Sequence, residues 1–412
     1  ASQVVACFAT FNATGKTNQQ PLIISHNGAS GMYPGSTDLA YRQAIQDGAD
    51  VLDCSVQMSQ DGTPFCSNTA DLISNSDALN KFMSQSISIP EVQDAPGIFS
   101  FNLKWTDIQT LTPQIASPYE KFGLERNPEM KNAGKLVTLA EFLEIANSSI
   151  LINIKNAAYL ATKGIDIVGA VTSALSNGTN KNRVLIQSDD TSVLEKFGKS
   201  SNYSKVLLME EKFGDVPKSS VEEIKKYANA VTLTRASVVK STNGFLTKQS
   251  KVVEELRAAN LSVYVKVFTN EVPTLLFDYF TDPTIELATY SAMKVDGVVT
   301  EYPKTAYRYF SSPCSDLTKD LEFAILPAAE GSLYATVPED VAAGAPASAP
   351  LPALTVADVV DPPLPDVEAV AKESLEKADA PAPVTAVAGG VGRVGGGISF
   401  VVMLLCLVFV GL

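Results

Sequence analysis

One histidine, His26, occurs in 412 residues. Chemistry that hands a proton from one imidazole to another, or a metal site built mainly of imidazoles, has no second member to draw on. Basic residues are also short: 32 Lys and Arg stand against 45 Asp and Glu, a net charge of −13. From Pro313 onward there are 13 acids and 4 bases, so the tail carries −9 and everything before it only −4. An acidic tail behind a near-neutral body removes the electrostatic case for nucleic acid as a partner. Long apolar runs are missing too. The longest, Ile398 to Leu412, has 15 residues; at ~1.5 Å per residue it reaches about 22 Å, short of a ~30 Å hydrocarbon core.

Cysteine is sparse but placed: Cys7, Cys54, Cys66, Cys314 and, inside the terminal apolar run, Cys406. Cys54 and Cys66 lie symmetrically about a turn signal at Gln60-Asp61, so a hairpin is expected to bring them face to face. The spacing predicts a Cys54–Cys66 disulfide and, by elimination, Cys7–Cys314, one of three possible connectivities. Four buried thiols are the alternative. Sequons for N-glycosylation occur at Asn12, Asn147, Asn177, Asn202 and Asn260. Together with paired cysteines they point to an oxidising, secretory environment.

What is present in quantity is alternation of strand and helix patterns. Apolar strand-like runs fall at Leu22 to Ser25, Val51 to Met58, Leu151 to Lys155, Val184 to Ser188, Lys205 to Met209, Ala230 to Thr234, Leu261 to Phe268 and Val298 to Glu301. Helical patterns separate them, the first from about Thr37 with Leu39, Ala40, Ala44 and Ile45 on one face. Eight β–α repeats predict a parallel sheet closed into a (β/α)8 barrel, with a doubly wound open sheet as the competing topology. A stretch from Asp71 to Val137, rich in Ser, Pro and Asn and holding the only tryptophan, Trp105, interrupts this rhythm.

The two ends read differently from the body. Residues 313–387 are rich in Ala, Pro and acids and are expected to form an extended, disordered stalk. Residues 388–412 carry small residues at Ala388-Gly389-Gly390, a Gly- and Val-rich spacer and the apolar run, the pattern of a glycolipid (GPI) anchor signal with attachment at Ala388 or a neighbour. A tail-anchored helix is the alternative. The lipid-anchor reading places the protein at the extracellular face of the plasma membrane. Residues 1–20 carry no charged, apolar leader, so the chain is expected to be either processed or a piece of a longer precursor.

Several segments resemble the glycerophosphodiester phosphodiesterases. His26-Asn27-Gly28 is similar to that family's H-R-G, and Pro34-Gly35-Ser36-Thr37 to its P-E-N-T. Asp53-Cys54-Ser55 stands for E-x-D, and Asp61-Gly62 followed by Ser67-Asn68 for the hairpin and second histidine. Asn153-Ile154-Lys155 stands for E-x-K, and Val295 to Pro303 (VDGVVTEYP) for V-D-G-I-I-T-D-Y-P. The likeness covers residues 21–312, and with the anchor pattern, sequons and stalk it is nearest to the plant cell-surface members, which carry two related barrels. It implies a TIM barrel of the PLC-like phosphodiesterase type, with residues 71–137 as an insertion on the hairpin arm above the mouth, and a sister domain upstream to which residues 1–20 would be the joint. The implied reaction is hydrolysis of glycerophosphodiesters to glycerol 3-phosphate and an alcohol. It uses two histidines as acid and base and a divalent cation, Ca²⁺ or Mg²⁺, held by carboxylates.

Transferred residue by residue, much of that chemistry is replaced. His26 matches the first histidine, but the second is Asn68. The phosphate-binding arginine is Asn27, and the metal positions hold Gly35, Ser55 and Asn153. Only Asp53 keeps a carboxylate there, and a lone carboxylate makes a poor site for a hard cation. Lys155 is retained; an Asp53–Lys155 ion pair is expected in the mouth. His26 reads either as a surviving acid/base or as a hydrogen-bonded relic. Glu301, Asp189 and Glu210 fall at strand ends, where barrel sites form. A second reading takes Asn27, Asn68, Asn153, Ser55 and Gln57 as a neutral lining for polyol or glycan hydroxyls, with Tyr33, Trp105 or Tyr302 to stack on sugar rings. The sequence thus leaves two functions open: a weak phosphodiesterase, and a non-catalytic surface protein in cell-wall organisation.

Overall fold

The computed structural model describes residues 20–118, 123, 125–178, 183–197, 203–271, 276–316, 323–337, 349–360 and 364–369. Cys7, Asn12, Asn202, Ala388 and the terminal apolar run lie outside them. Among the described residues no helix is long and apolar enough to cross a membrane.

The strands in chain order are β1 (Leu22–Ser25), β2 (Val51–Met58), β3 (Pro64–Cys66), β4 (Ile87–Ile89), β5 (Gln93–Gly97), β6 (Ser149–Ile154) and β7 (Val184–Ser188). β8 (Tyr203–Leu208), β9 (Ala230–Thr234), β10 (Val239–Thr242), β11 (Phe245–Gln249), β12 (Ser262–Phe268) and β13 (Gly297–Thr300) follow. Parallel pairing runs β1-β13-β12-β9-β8-β7-β6-β2, and β1 pairs with β2 to close the ring. This is the expected eight-stranded barrel. Its strands are buried on both sides, which is why they read as near-continuous apolar runs rather than as alternation. Ile24, Val51, Leu151, Leu185, Val206 and Tyr264 fill the interior, while residues such as Ile23, Cys54 and Ile152 face the surrounding helices.

The first helix, Asp38–Gln46, begins where Thr37 Oγ1 accepts from Ala40 N at 3.2 Å, an N-cap that satisfies one of the orphan donors. Its buried side chains are Ala40, Tyr41 and Ala44. Leu39 and Ile45, expected beside them, are only half-buried, because Tyr41 takes the inward position.

The hairpin arm is offset from the symmetric pairing expected. Cys66 lies opposite Val56, and Ser59 N donates to Thr63 O, so the apex is Asp61. Cys54 and Cys66 are therefore diagonal neighbours, with Cα atoms 5.3 Å apart, and form the disulfide. Cys314 is also disulfide-bonded; Cys7, its expected partner, lies outside the described residues.

The segment after Asp71 has a small core of its own, including Phe65, Leu72, Ile98, Leu103 and Ile108. Trp105 packs on Phe65 within it at 5.1 Å between ring centroids, and so is unavailable to stack on a ligand in the mouth. Several elements escaped the sequence reading, and two of them bear on the barrel. One is the β10–β11 hairpin, whose Asn243-Gly244 turn takes positive φ at both residues, a strong local hairpin signal. The other is the helix Pro303–Phe310.

Part of the expected stalk packs on the barrel. Leu354, Val359 and Val367 are buried in the main core, Leu354 N donates to Asp215 O at 2.9 Å, and Lys196 pairs with Glu368. The Pro/Ala-rich average concealed apolar residues spaced to fit the barrel wall.

Candidate functional site

All eight barrel strands point their C-terminal ends to one mouth, and the motif residues converge there. His26 follows β1, its N–H bonded to Thr300 O at 2.8 Å. The chain then turns through Asn27 at φ +54 and Gly28 at φ +88. A side chain at Gly28 would place Cβ 2.7 Å from the Ala40 backbone, so glycine alone fits between the turn and the first helix.

A cavity of about 270 Å³ opens beneath His26, lined also by Asp53, Asn68, Asn153, Lys155 and Lys266. Its floor is a run of neutral hydrogen bonds that links β9, β7, β6 and β2 across the barrel interior. Thr232 Oγ1 donates to Gln187 Oε1 at 2.6 Å, Gln187 Nε2 to Asn153 Oδ1 at 3.2 Å, and Asn153 Nδ2 to Ser55 Oγ at 3.1 Å. Beside it, Asn27 Nδ2 donates to Asn68 Oδ1 at 3.1 Å, and Asn27 Oδ1 accepts from Ser55 N at 3.3 Å. Gln57, also buried, donates instead to Ser67 O at 3.4 Å. The amides that the sequence offered to ligand hydroxyls are largely bonded to one another.

Asp53 is buried, and its Oδ1 has no hydrogen-bond partner. Burial pushes its carboxyl up to about 6, against the pull of His26, Lys266 and Lys155. The expected Asp53–Lys155 ion pair does not form. Lys155 Nζ instead contacts Glu210 Oε1 at 3.0 Å, and Lys266 Nζ reaches the same oxygen at 2.6 Å. Glu210 rises from the end of β8 into solvent, where a lysine pairs at a smaller desolvation cost than beside buried Asp53. Burial opposes its ionisation, but the two lysines hold the carboxyl down to about 2.

His26 Nδ1 stands 3.7 Å from Glu301 Oε1, close enough for attraction and too long for a direct hydrogen bond. Glu301 also pairs with Arg126 at 2.8 Å. Burial raises the Glu301 carboxyl, yet His26 and Arg126 outweigh it and hold the group below the usual carboxylate range. Arg126 reaches in from the insertion and binds Glu271 through Nε at 3.0 Å; its guanidinium lies 5.8 Å from the Tyr302 ring centre. Tyr302 donates to Gly31 O at 3.2 Å and contacts Glu271, so its ring is engaged. Asp189, just past β7, is pushed up by burial and by its neighbours Glu210 and Asp190, against Lys155.

The donor set does not fit a divalent cation. Gly35 offers no side-chain ligand, Ser55 and Asn153 bond each other, and Asp53 supplies one carboxylate where Ca²⁺ takes six to eight oxygens. Among the described residues no group of three His, Cys, Asp or Glu could hold a metal.

Sequence reasoning missed Lys266, Gln187, Thr232 and Arg126. The first three were visible as isolated polar residues on otherwise buried strands; Arg126, in an irregular segment, carried no such signal.

Comparison with known proteins agrees with this architecture. The profile of the glycerophosphoryl diester phosphodiesterase family matches residues 26–305. The Arabidopsis thaliana protein named glycerophosphodiester phosphodiesterase GDPDL6 is 52% identical over 386 residues, covering 91% of this chain and 51% of that protein. GDPDL7 of the same plant is 52% identical over 377 residues, covering 89% and 50%. The chain thus spans about half the length of these curated relatives. In fold it is similar to an Oleispira antarctica phosphodiesterase solved with the product sn-glycerol-3-phosphate, at TM-score 0.50 and 15% identity over 71% of this chain and 98% of that one. A Silicibacter pomeroyi protein described as a glycerophosphoryl diester phosphodiesterase gives TM-score 0.52 at 16% identity, covering 71% and 94%. The chain belongs to the glycerophosphoryl diester phosphodiesterase family.

Proposed function

We propose that this domain binds glycerophosphoryl groups in its barrel mouth at the cell surface, with hydrolysis weak or absent. The observation that carries this reading is Asn68, standing where the family resemblance puts the second histidine and hydrogen-bonded to Asn27 at 3.1 Å. Diester hydrolysis by the family's route needs a base for the attacking hydroxyl and an acid for the departing alkoxide. His26 can be one of these; an amide exchanges no proton near neutral pH and cannot be the other. The cation that would neutralise the crowded phosphate has one carboxylate left to hold it. Lys155 and Lys266 still bring positive charge to a small, largely amide-floored cavity beside His26, which suits an anionic headgroup bearing hydroxyls.

The surface location rests on the terminal apolar run behind small residues, on the cysteine pairing and on the sequons. Asn147 and Asn260 are exposed in helix-to-strand connections and exposed Asn177 ends a helix that leads into β7, all at the end of the barrel opposite the mouth, so glycans there leave the mouth open. A lipid anchor and an upstream sister domain belong to the same proposal. A scaffolding role in cell-wall organisation is the outcome if no headgroup binds.

The test is calorimetric titration of glycerophosphoglycerol and glycerophosphocholine into the secreted, glycosylated protein. Saturable binding that Lys155→Met weakens is expected. No saturable binding of either compound contradicts the reading.

A further inference from the structure

Lys155 and Lys266 approach from opposite sides of the mouth, at the ends of β6 and β12, with β7, β8 and β9 between them. Both ammonium groups nonetheless meet at one atom, Oε1 of Glu210, at 3.0 and 2.6 Å. One oxygen shared by two lysines is the arrangement expected for a non-bridging phosphoryl oxygen. The lysine side chains are 24% and 19% exposed, whereas Glu210 is 47% exposed. The carboxylate therefore sits outermost, over a cationic site that lies deeper.

Glu210 also has somewhere to go. It lines both the 270 Å³ cavity and a neighbouring cavity of about 700 Å³, so a change of side-chain rotamer carries its carboxylate from one to the other. In the larger cavity it would face Asp189, Asp190 and Glu211, whose like charge favours its return to the lysines. The low ionisation range of Glu210, about 2, agrees with a carboxylate held mainly by those two cations.

We infer that Glu210 is a resident stand-in anion: it occupies the Lys155–Lys266 site when the mouth is empty and is displaced into the larger cavity by the phosphate oxygens of a ligand. This rests on the proposed headgroup-binding reading for its biological ligand, but not for the anion site itself. Glu210 then works as a self-blocking contact that lowers phosphate affinity and sets a threshold below which the mouth stays shut. Removing a negative charge here is expected to improve anion binding rather than merely to loosen the fold.

The experiment titrates inorganic phosphate into wild type, Glu210→Gln and the double variant Lys155→Met/Lys266→Met, by calorimetry and by the phosphate-induced rise in Tm. Glu210→Gln should bind phosphate about tenfold tighter than wild type, and its Tm should rise more at equal phosphate; the double variant should bind none. Vesicles containing phosphatidylglycerol, run in parallel, ask whether a lipid headgroup uses the same site, and tightening by Glu210→Gln is the expected sign there too. Equal or weaker phosphate binding by folded Glu210→Gln overturns the inference, as does binding that persists in the double variant. If Glu210→Gln does not fold, Glu210→Ala is read the same way. Glycerophosphodiesters that fail to bind while phosphate behaves as expected refute the headgroup reading and leave this inference standing.

Discussion

Asn153 Nδ2 donates a 3.1 Å hydrogen bond to Ser55 Oγ, joining β6 to β2 at two positions where the family resemblance places metal-binding carboxylates. Two carboxylates there would repel unless a cation lay between them. An amide and a hydroxyl attract each other and need none. The change at one position thus makes structural sense of the change at the other, and the strand ends are tied without metal.

Asn153→Ala tests that tie. It leaves the Gln187 amide and the Ser55 hydroxyl unpaired in a buried setting, which costs about 1–3 kcal/mol. Urea unfolding should show a loss of that size, and a loss under about 0.5 kcal/mol, the scale of an ordinary surface substitution, would mean the network contributes little.

Asp53 gives a pH prediction with a definite sign. Burial holds its carboxyl at about 6, above the ordinary 3.8, so the folded state keeps the proton longer than the unfolded chain does. The contribution of Asp53 to stability is fully present below about pH 4 and is lost as pH rises through 6. Above that the ionised group is a net cost of up to about 3 kcal/mol. Asp53→Asn should therefore raise stability at pH 7 and remove the part of the decline between pH 4 and 6 that this group causes. A destabilised Asp53→Asn at pH 7 would show instead that the charge is needed.

The Cys54–Cys66 disulfide closes a loop of 12 residues between the second strand and its arm. By chain entropy such a cross-link stabilises by about 3 kcal/mol. The Cys54→Ala/Cys66→Ala variant should lose roughly that amount in denaturant unfolding, while a fully stable variant would show that packing of the arm suffices.

Leu354 is buried although it lies in the Pro/Ala-rich tail. If the tail packs on the barrel in solution, Leu354→Ala should cost about 2 kcal/mol, the low end for a core leucine because a surface strap can settle into the gap. Truncation after Asp316 should lower Tm further. Unchanged Tm in both would place the segment free of the barrel.

The barrel was legible because its signal is local and repeated. Leu22 to Ser25, Val51 to Met58 and their six successors are buried on both faces, and each is punctuated by a helix start such as Thr37. The offset of the hairpin arm was not legible, since symmetry about Gln60-Asp61 and symmetry about Asp61 differ by a single residue. Nor was the choice of partner for Lys155. Asp53 and Glu210 both lie at strand ends, and only their relative burial, a property of the folded mouth, decides between them. The motif residues His26, Asn27, Asn68 and Asn153 come together in the mouth because they lie at or just past strand ends. Arg126 reaches the mouth across irregular chain that no period describes.

On the proposed reading, the mouth keeps a headgroup pocket and lacks metal-assisted hydrolysis. Release of glycerol 3-phosphate from glycerophosphocholine by the purified protein, with Ca²⁺, Mg²⁺ or a chelator and beside His26→Ala, tests it most directly. The account predicts no metal-dependent release above the His26→Ala background. Metal-dependent release that His26→Ala abolishes would contradict it and would mean that a working site has been rebuilt around Asp53.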